Sequence, residues 1–232
     1  MINAVLTIDD IPSSDTEALV DYLNEKGIRA LMFAWGEHAK ANPGKVIYAL
    51  QHGMIVGNHS YSHPAFEELT YEECINEIER CEEVLDAIYA EAGVERRFKP
   101  FRFPYGNKGG DKKDRLEKYL AENGFSKLDD TNISYPWWKE YGLDKDIDTL
   151  WTFDFAEYQI RPGSGFTMDD VLKRIHDDNP PSGGALLEDG SFHIILMHDH
   201  DETREMVPDY YKLMIGHIME CGVTFVDPCF IK

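Results

Sequence analysis

The feature that most constrains this chain is the regular alternation of short apolar, β-rich runs with amphipathic helical stretches. Residues 4–8 read as a strand. Residues 15–26 read as a helix with Leu19, Tyr22 and Leu23 on one face and Gly27 as its stop. A second strand follows at 29–34, a helix opened by Pro43 runs to Gln51, and a third strand occupies 54–56. Thr70 with Glu73 makes a capping box for the longest helix, in which Cys74, Ile75, Ile78, Cys81, Leu85 and Ile88 recur at about 3.6 residues. Strands are expected again at 99–103, 125–128, 149–153, 192–197 and 223–226, with helices at 112–122, 168–177 and 207–220. About eight strands alternating with roughly six or seven helices predict an α/β protein whose parallel sheet closes like a barrel. Residues 129–145, carrying Tyr135, Trp137, Trp138 and Tyr141, fit neither period and read as a long loop. No repeat, low-complexity tract or linker interrupts the pattern, so a single domain over residues 1–232 is expected.

Charge narrows the partners. There are 43 Asp and Glu against 23 Lys and Arg, a net charge of −20. Nucleic acid and anionic membranes need a basic footprint, so neither is an expected partner. The longest apolar runs fall far short of the roughly 20 residues of a membrane span. Cys74, Cys81, Cys221 and Cys229 form no CxxC pair, and buried free thiols are expected for them. No cationic stretch followed by an apolar one opens the chain, so a cytoplasmic location is the expectation.

In a parallel barrel, functional groups gather at the C-terminal ends of the strands. Those ends carry Thr7, Asp9 and Asp10 after the first strand, and His59 and His63 after the third. Arg102, Pro104 and Tyr105 follow the fourth, and Asp154 and His198 end later ones. Imidazoles spaced HxxxH can grip one transition-metal ion, and a neighbouring aspartate completes a His₂Asp donor set with open positions.

Taken in order, Thr7-Ile8-Asp9-Asp10, His59-x-x-x-His63, Arg102-Phe103-Pro104-Tyr105-Gly106 and Leu196-Met197-His198 resemble the motif set of the polysaccharide deacetylases. This is the NodB-homology group, carbohydrate esterase family 4. The resemblance implies a distorted (β/α) barrel that removes N-acetyl groups from amino-sugar oligosaccharides or polysaccharides of chitin or peptidoglycan type. It implies that Asp10, His59 and His63 hold a divalent metal, zinc foremost, with cobalt or nickel as alternatives. Asp9 would be the general base acting on a water at the metal, with Arg102 keeping it ionised and oriented. The Tyr105 backbone N–H would help stabilise the oxyanion, Leu196 would line the acetyl-methyl pocket, and His198 would protonate the leaving amine.

Two departures stand out. Ile11-Pro12 replaces the family's usual Gly-Pro, and Asp154-Phe155-Ala156-Glu157-Tyr158 is the nearest match to its fourth motif. Asp154 is expected to orient His198, with Glu157 as the alternative. Of the remaining histidines, His38, His52, His176, His193, His200 and His217 are expected at the surface or in packing, with His200 the one to watch. The aromatic cluster at 135–141 fits either sugar stacking or packing. Rival functions are an O-acetyl esterase on xylan-like polymers, a metal-free amidase on a small non-sugar amide, and a catalytically silent carbohydrate-binding domain. The acidic balance favours neutral over polyanionic glycans.

Overall fold

The structure, a computed structural model, describes residues 1–231; Lys232 lies outside it. In chain order the elements are β1 (Ile2–Ile11), α1 (Thr16–Glu25), β2 (Leu31–Ala34), α2 (Gly36–Ala41), α3 (Pro43–Gln51) and β3 (Ile55–Asn58). Next come α4 (Tyr71–Ala92), α5 (Lys113–Glu122), β4 (Lys127–Leu128), α6 (Pro136–Glu140), β5 (Phe153–Asp154) and α7 (Met168–Ile175). The chain ends with β6 (Phe192–His198), α8 (Asp201–Met206), α9 (Tyr210–Glu220), β7 (Val223–Phe225) and β8 (Phe230–Ile231).

The main sheet is parallel, in the order β3-β2-β1-β6-β5, with β7 beside the first residues of β1. One or two hydrogen bonds at a time carry the circuit onward from its two edges. Asn58 pairs with Phe101, the Thr149 N–H reaches the Phe101 carbonyl (2.8 Å), and the Thr152 N–H reaches that of Ile194 (2.9 Å). The result is a distorted (β/α) barrel, as the alternation and the resemblance both imply.

Side chains alternate along the strands. Ala4, Leu6 and Ile8 of β1 face the helices in the larger core, while Val5 faces inward with Leu31, Phe33, Ile55 and Ile194. Trp138, Ile133 and Leu128 pack with this inward-facing set. The expected loop at 129–145 therefore contains the short α6, and its Trp138 packs in the core, with its indole N–H on Asp130 (2.8 Å). Packing, not sugar stacking, is what Trp138 does.

Three strand expectations change. Residues 99–103 contribute one bridge at Phe101, residues 127–128 pair antiparallel with β8 in a separate small sheet, and 149–153 shrinks to β5. The helix expected at 207–220 is α9, which starts at Tyr210, and a separate short helix, α8, precedes it. Cys74 and Cys81 are buried free thiols as expected, but Cys221 is only half-buried and Cys229 is exposed.

Candidate active site

Asp9 continues the inward-facing column of Val5 and Thr7. Strict alternation would send Asp10 the other way, into the helices. Between Ile8 and Ile11 the β1–β2 register shifts, and Asp10 takes φ +67°. Such a bulge re-aims a side chain, and here it turns Asp10 into the same mouth as Asp9. Ile11 stays on the strand as a fully buried core residue, so the departure from Gly-Pro is absorbed by packing.

His59 and His63 stand on a loop braced from α4. The Glu77 carboxylate accepts the Tyr61 N–H (3.1 Å), the Ser62 N–H (2.7 Å) and the Ser62 hydroxyl (2.9 Å). Asn58 accepts the Ser60 N–H (2.8 Å) and donates to the Ile78 carbonyl (3.0 Å). Ser60, His63 and Tyr105 all hold φ near +60°, a conformation that costs a side-chain-bearing residue energy and is characteristic of functional loops.

Three imidazoles converge on Asp10. His59 Nε2 lies 3.6 Å and His63 Nε2 3.2 Å from its Oδ1, and His200 Nε2 lies 2.6 Å from its Oδ2. Asp9 Oδ2 is 3.5 Å from His59 Nε2. His59 Nδ1 meets the Arg102 carbonyl at 2.8 Å. A carbonyl only accepts, so Nδ1 carries the proton and Nε2 offers its lone pair to the site. Burial pushes the His59 imidazole below its ordinary value despite Asp9 and Asp10, which keeps it neutral. Burial opposes ionisation of Asp10, yet the hydrogen bond from His200 and the adjacent His63 and His59 imidazoles outweigh it and hold the carboxyl well below the usual range.

The fit to a metal can be tested on these atoms. Asp10 Oδ1 is buried and lacks a hydrogen-bond partner, and it faces two imidazole nitrogens; one donor atom from each of the three residues lies within 4.8 Å of the others. A buried carboxylate oxygen with two imidazole nitrogens is a donor set a divalent ion satisfies. The residues fit.

Arg102 lies beneath the mouth, fully buried. Its guanidinium donates to Asp9 Oδ1 (2.7 Å), the Thr7 hydroxyl (2.8 Å) and the Thr149 carbonyl (2.7 Å), and it sits over the Phe33 ring at 4.5 Å. Tyr105 is exposed, with its ring edge-on to His63 at 4.6 Å. Leu196 and His198 continue the inward-facing column of β6, in register with Thr7 and Asp9.

The partner of His198 is Glu157, not Asp154. Glu157 Oε1 accepts from both the His198 backbone N–H and the ring Nδ1, the latter at 3.2 Å. Asp154 instead accepts the Ala156 N–H at 2.7 Å, closing a tight turn whose Ala156 has φ +59° and which swings Glu157 inward. Burial and the neighbouring Glu157 push the Asp154 carboxyl up to about 6. Burial disfavours charge on His198, but the hydrogen bond and charge of Glu157, with Asp10 and Asp9 behind, raise it to about 9.

The mouth opens into a cleft of about 520 Å³ whose walls include Trp35, Trp151, Tyr158, Arg161, His200 and Glu202. None of these was selected from the sequence as a site residue. Trp35 directly follows β2 and stacks on His63 at 4.8 Å, so its strand-end position was the available signal. His200 lies two residues beyond β6, close enough to the motif histidine to be overshadowed by it. The other unassigned histidines divide by environment. His38 and His52 stack on Trp35 and Tyr48, and His193 is buried against Thr152 and Ser191.

Fold and site together define a parallel (β/α) barrel with a His₂Asp cluster, an arginine-bound carboxylate and a glutamate-bound imidazole at its C-terminal mouth. The chain belongs to the polysaccharide deacetylase family, whose profile matches residues 3–126. It is similar to a peptidoglycan-N-acetylglucosamine deacetylase of Bacillus cereus, 35% identical over 44% of this chain and 35% of that one. It is also similar to chitin deacetylase 1 of Cryptococcus neoformans var. grubii, 31% identical over 92% of this chain and 39% of that one. The chain thus spans between a third and two fifths of the length of these relatives. Among solved structures, a family 4 carbohydrate esterase from Streptomyces lividans in complex with acetate superposes with a TM-score of 0.61 at 26% identity, covering 96% of this chain and 91% of that one.

Proposed function

We propose that the chain is a metal-dependent hydrolase that removes N-acetyl groups from amino-sugar glycans of chitin or peptidoglycan type. The observation that carries this reading is an Arg102-bound carboxylate and a Glu157-bound imidazole lining the same mouth as the Asp10, His59 and His63 donor set. An amide has a weak electrophile and a poor leaving group, so its hydrolysis needs a base for water and an acid for nitrogen.

Asp10, His59 and His63 would hold the ion, zinc by preference for this N₂O set. When bound, it would polarise the acetyl carbonyl and make water more acidic. Asp9, fixed by Arg102, takes the proton of the attacking water. The Tyr105 N–H supports the developing oxyanion, and Leu196 packs on the acetyl methyl. His198, protonated because Glu157 raises it to about 9, gives its proton to the departing amine.

The test is acetate release from chitooligosaccharides, peptidoglycan fragments and acetyl-xylan, with metal added and with chelator. Activity on the amides that vanishes on chelation is expected. Esters leave without strong acid assistance, so His198→Ala should abolish amide hydrolysis and spare ester hydrolysis. Turnover of acetyl-xylan alone, unaffected by His198→Ala, would overturn the amide reading in favour of an O-acetyl esterase.

A further inference from the structure

On the outside of the barrel, α7 and α9 pack side by side, with Val171, Ile175, Met214 and Ile218 buried in the common core, and their C-terminal ends meet. His176 caps the C-terminus of α7. His217 and Cys221, four residues apart, occupy the last turn and cap of α9 and so share a face. The two imidazoles meet Nε2 to Nε2 at 2.9 Å, and Cys221 Sγ lies 3.8 Å from His217 Nε2. All three donor atoms fall within 4.8 Å of one another.

These separations can be compared with a tetrahedral zinc site. Zn–N bonds of about 2.0–2.1 Å and a Zn–S bond of about 2.3 Å imply edges of ~3.3 Å between nitrogens and ~3.6 Å between nitrogen and sulfur. The observed 2.9 and 3.8 Å each lie within a few tenths of an ångström of those edges. Without an ion, one Nε2 must carry its proton and donate it to the other. A cation would satisfy both lone pairs. The ends of α7 and α9 add the negative poles of two helix dipoles to the same spot.

We propose that His176, His217 and Cys221 form a second metal site, taking a divalent ion of the zinc class, with water in the fourth position. Its role is a clamp between α7 and α9. Both helices also brace the strands that carry His198 and Asp154. Arg174 of α7 donates to the Asp154 carbonyl (3.0 and 3.2 Å), and the Tyr210 hydroxyl of α9 donates to the His198 carbonyl. The clamp shares no residue with the mouth of the barrel.

The donor chemistry gives a test independent of activity. The mouth offers only nitrogen and oxygen, so cobalt(II) there produces no thiolate-to-metal charge transfer. Chelator-stripped protein kept reduced with a phosphine and reloaded with cobalt(II) should show that near-ultraviolet band. Cys221→Ser and His217→Ala should abolish the band and remove one metal per chain on zinc loading, and His176→Ala should weaken binding about 10-fold or more. Cys229→Ser, which alters the exposed thiol outside the site, should leave band and stoichiometry intact. A wild-type protein without the band, or a band that survives Cys221→Ser, would overturn the proposal. The band with only one metal bound would support the clamp and count against the mouth as a metal site.

Discussion

At His198 a single carboxylate oxygen of Glu157 binds both the backbone N–H and the ring, fixing the imidazole's position and its charge together. Removing that charge should release both. In Glu157→Gln the His198 pKa should fall from about 9 towards its ordinary value, moving the alkaline limb of the kcat profile down by about two pH units and lowering kcat at pH 8 by about 10–30-fold. An unmoved alkaline limb would exclude His198 as the acid. The same linkage acts on stability. A histidine with a raised folded pKa contributes fully below about pH 6.5, and the contribution disappears as pH rises through about 9. Urea titrations should therefore find the gap between wild type and Glu157→Gln wider at pH 6 than at pH 10. His200 acts through another residue. Its hydrogen bond fixes the outer oxygen of Asp10, so His200→Ala should weaken zinc affinity about 10–100-fold, with a smaller effect on kcat at saturating metal; competition with a chelating dye measures this.

At the scale of elements, the motif loop 59–63 depends on α4, and β3 depends on how closely residues 99–103 can approach it. A Cβ on Gly57 would sit 2.6 Å from the Pro100 carbonyl oxygen. Gly57→Ala should therefore destabilise the fold by about 1–3 kcal/mol through overpacking, read as a lower urea midpoint with unchanged slope. Glu77→Ala strands the N–H groups of Tyr61 and Ser62. It should cost about 1–3 kcal/mol and weaken metal binding at the adjacent histidines. The long helices and β1, β2 and β6 were legible because burial enforces their periods over many residues. Residues 99–103 and 149–153 were not, because each joins the barrel through one or two hydrogen bonds and their inward side chains serve the site. Arg102, fully buried at the expected place of a core residue, illustrates the conflict. Asp9, Asp10, His59 and His63 stand out in sequence because they flank strongly periodic strands. The choice between Asp154 and Glu157 stayed open in sequence, since the positive φ of Ala156 is what turns Glu157 inward.

Over the whole molecule, a net charge of −20 surrounds a mouth that itself contains several carboxylates. Neutral acetylated oligosaccharides approach this surface freely, whereas polyanionic ones meet repulsion that salt screens. kcat/KM should thus be higher for neutral glycans, and the difference should narrow between low and high ionic strength; equal values at low salt would remove charge as a determinant. The position of β1 carries a further consequence. It pairs with β6 from Asn3 to Asp9, with β7 at its start and with β2 at its end. Its amides should exchange hydrogen only when the entire molecule opens. Asp9 and Asp10 are thereby attached to the slowest-exchanging segment of the chain. On heating, the carboxylate pair should keep its spacing until cooperative melting, with no earlier phase of inactivation.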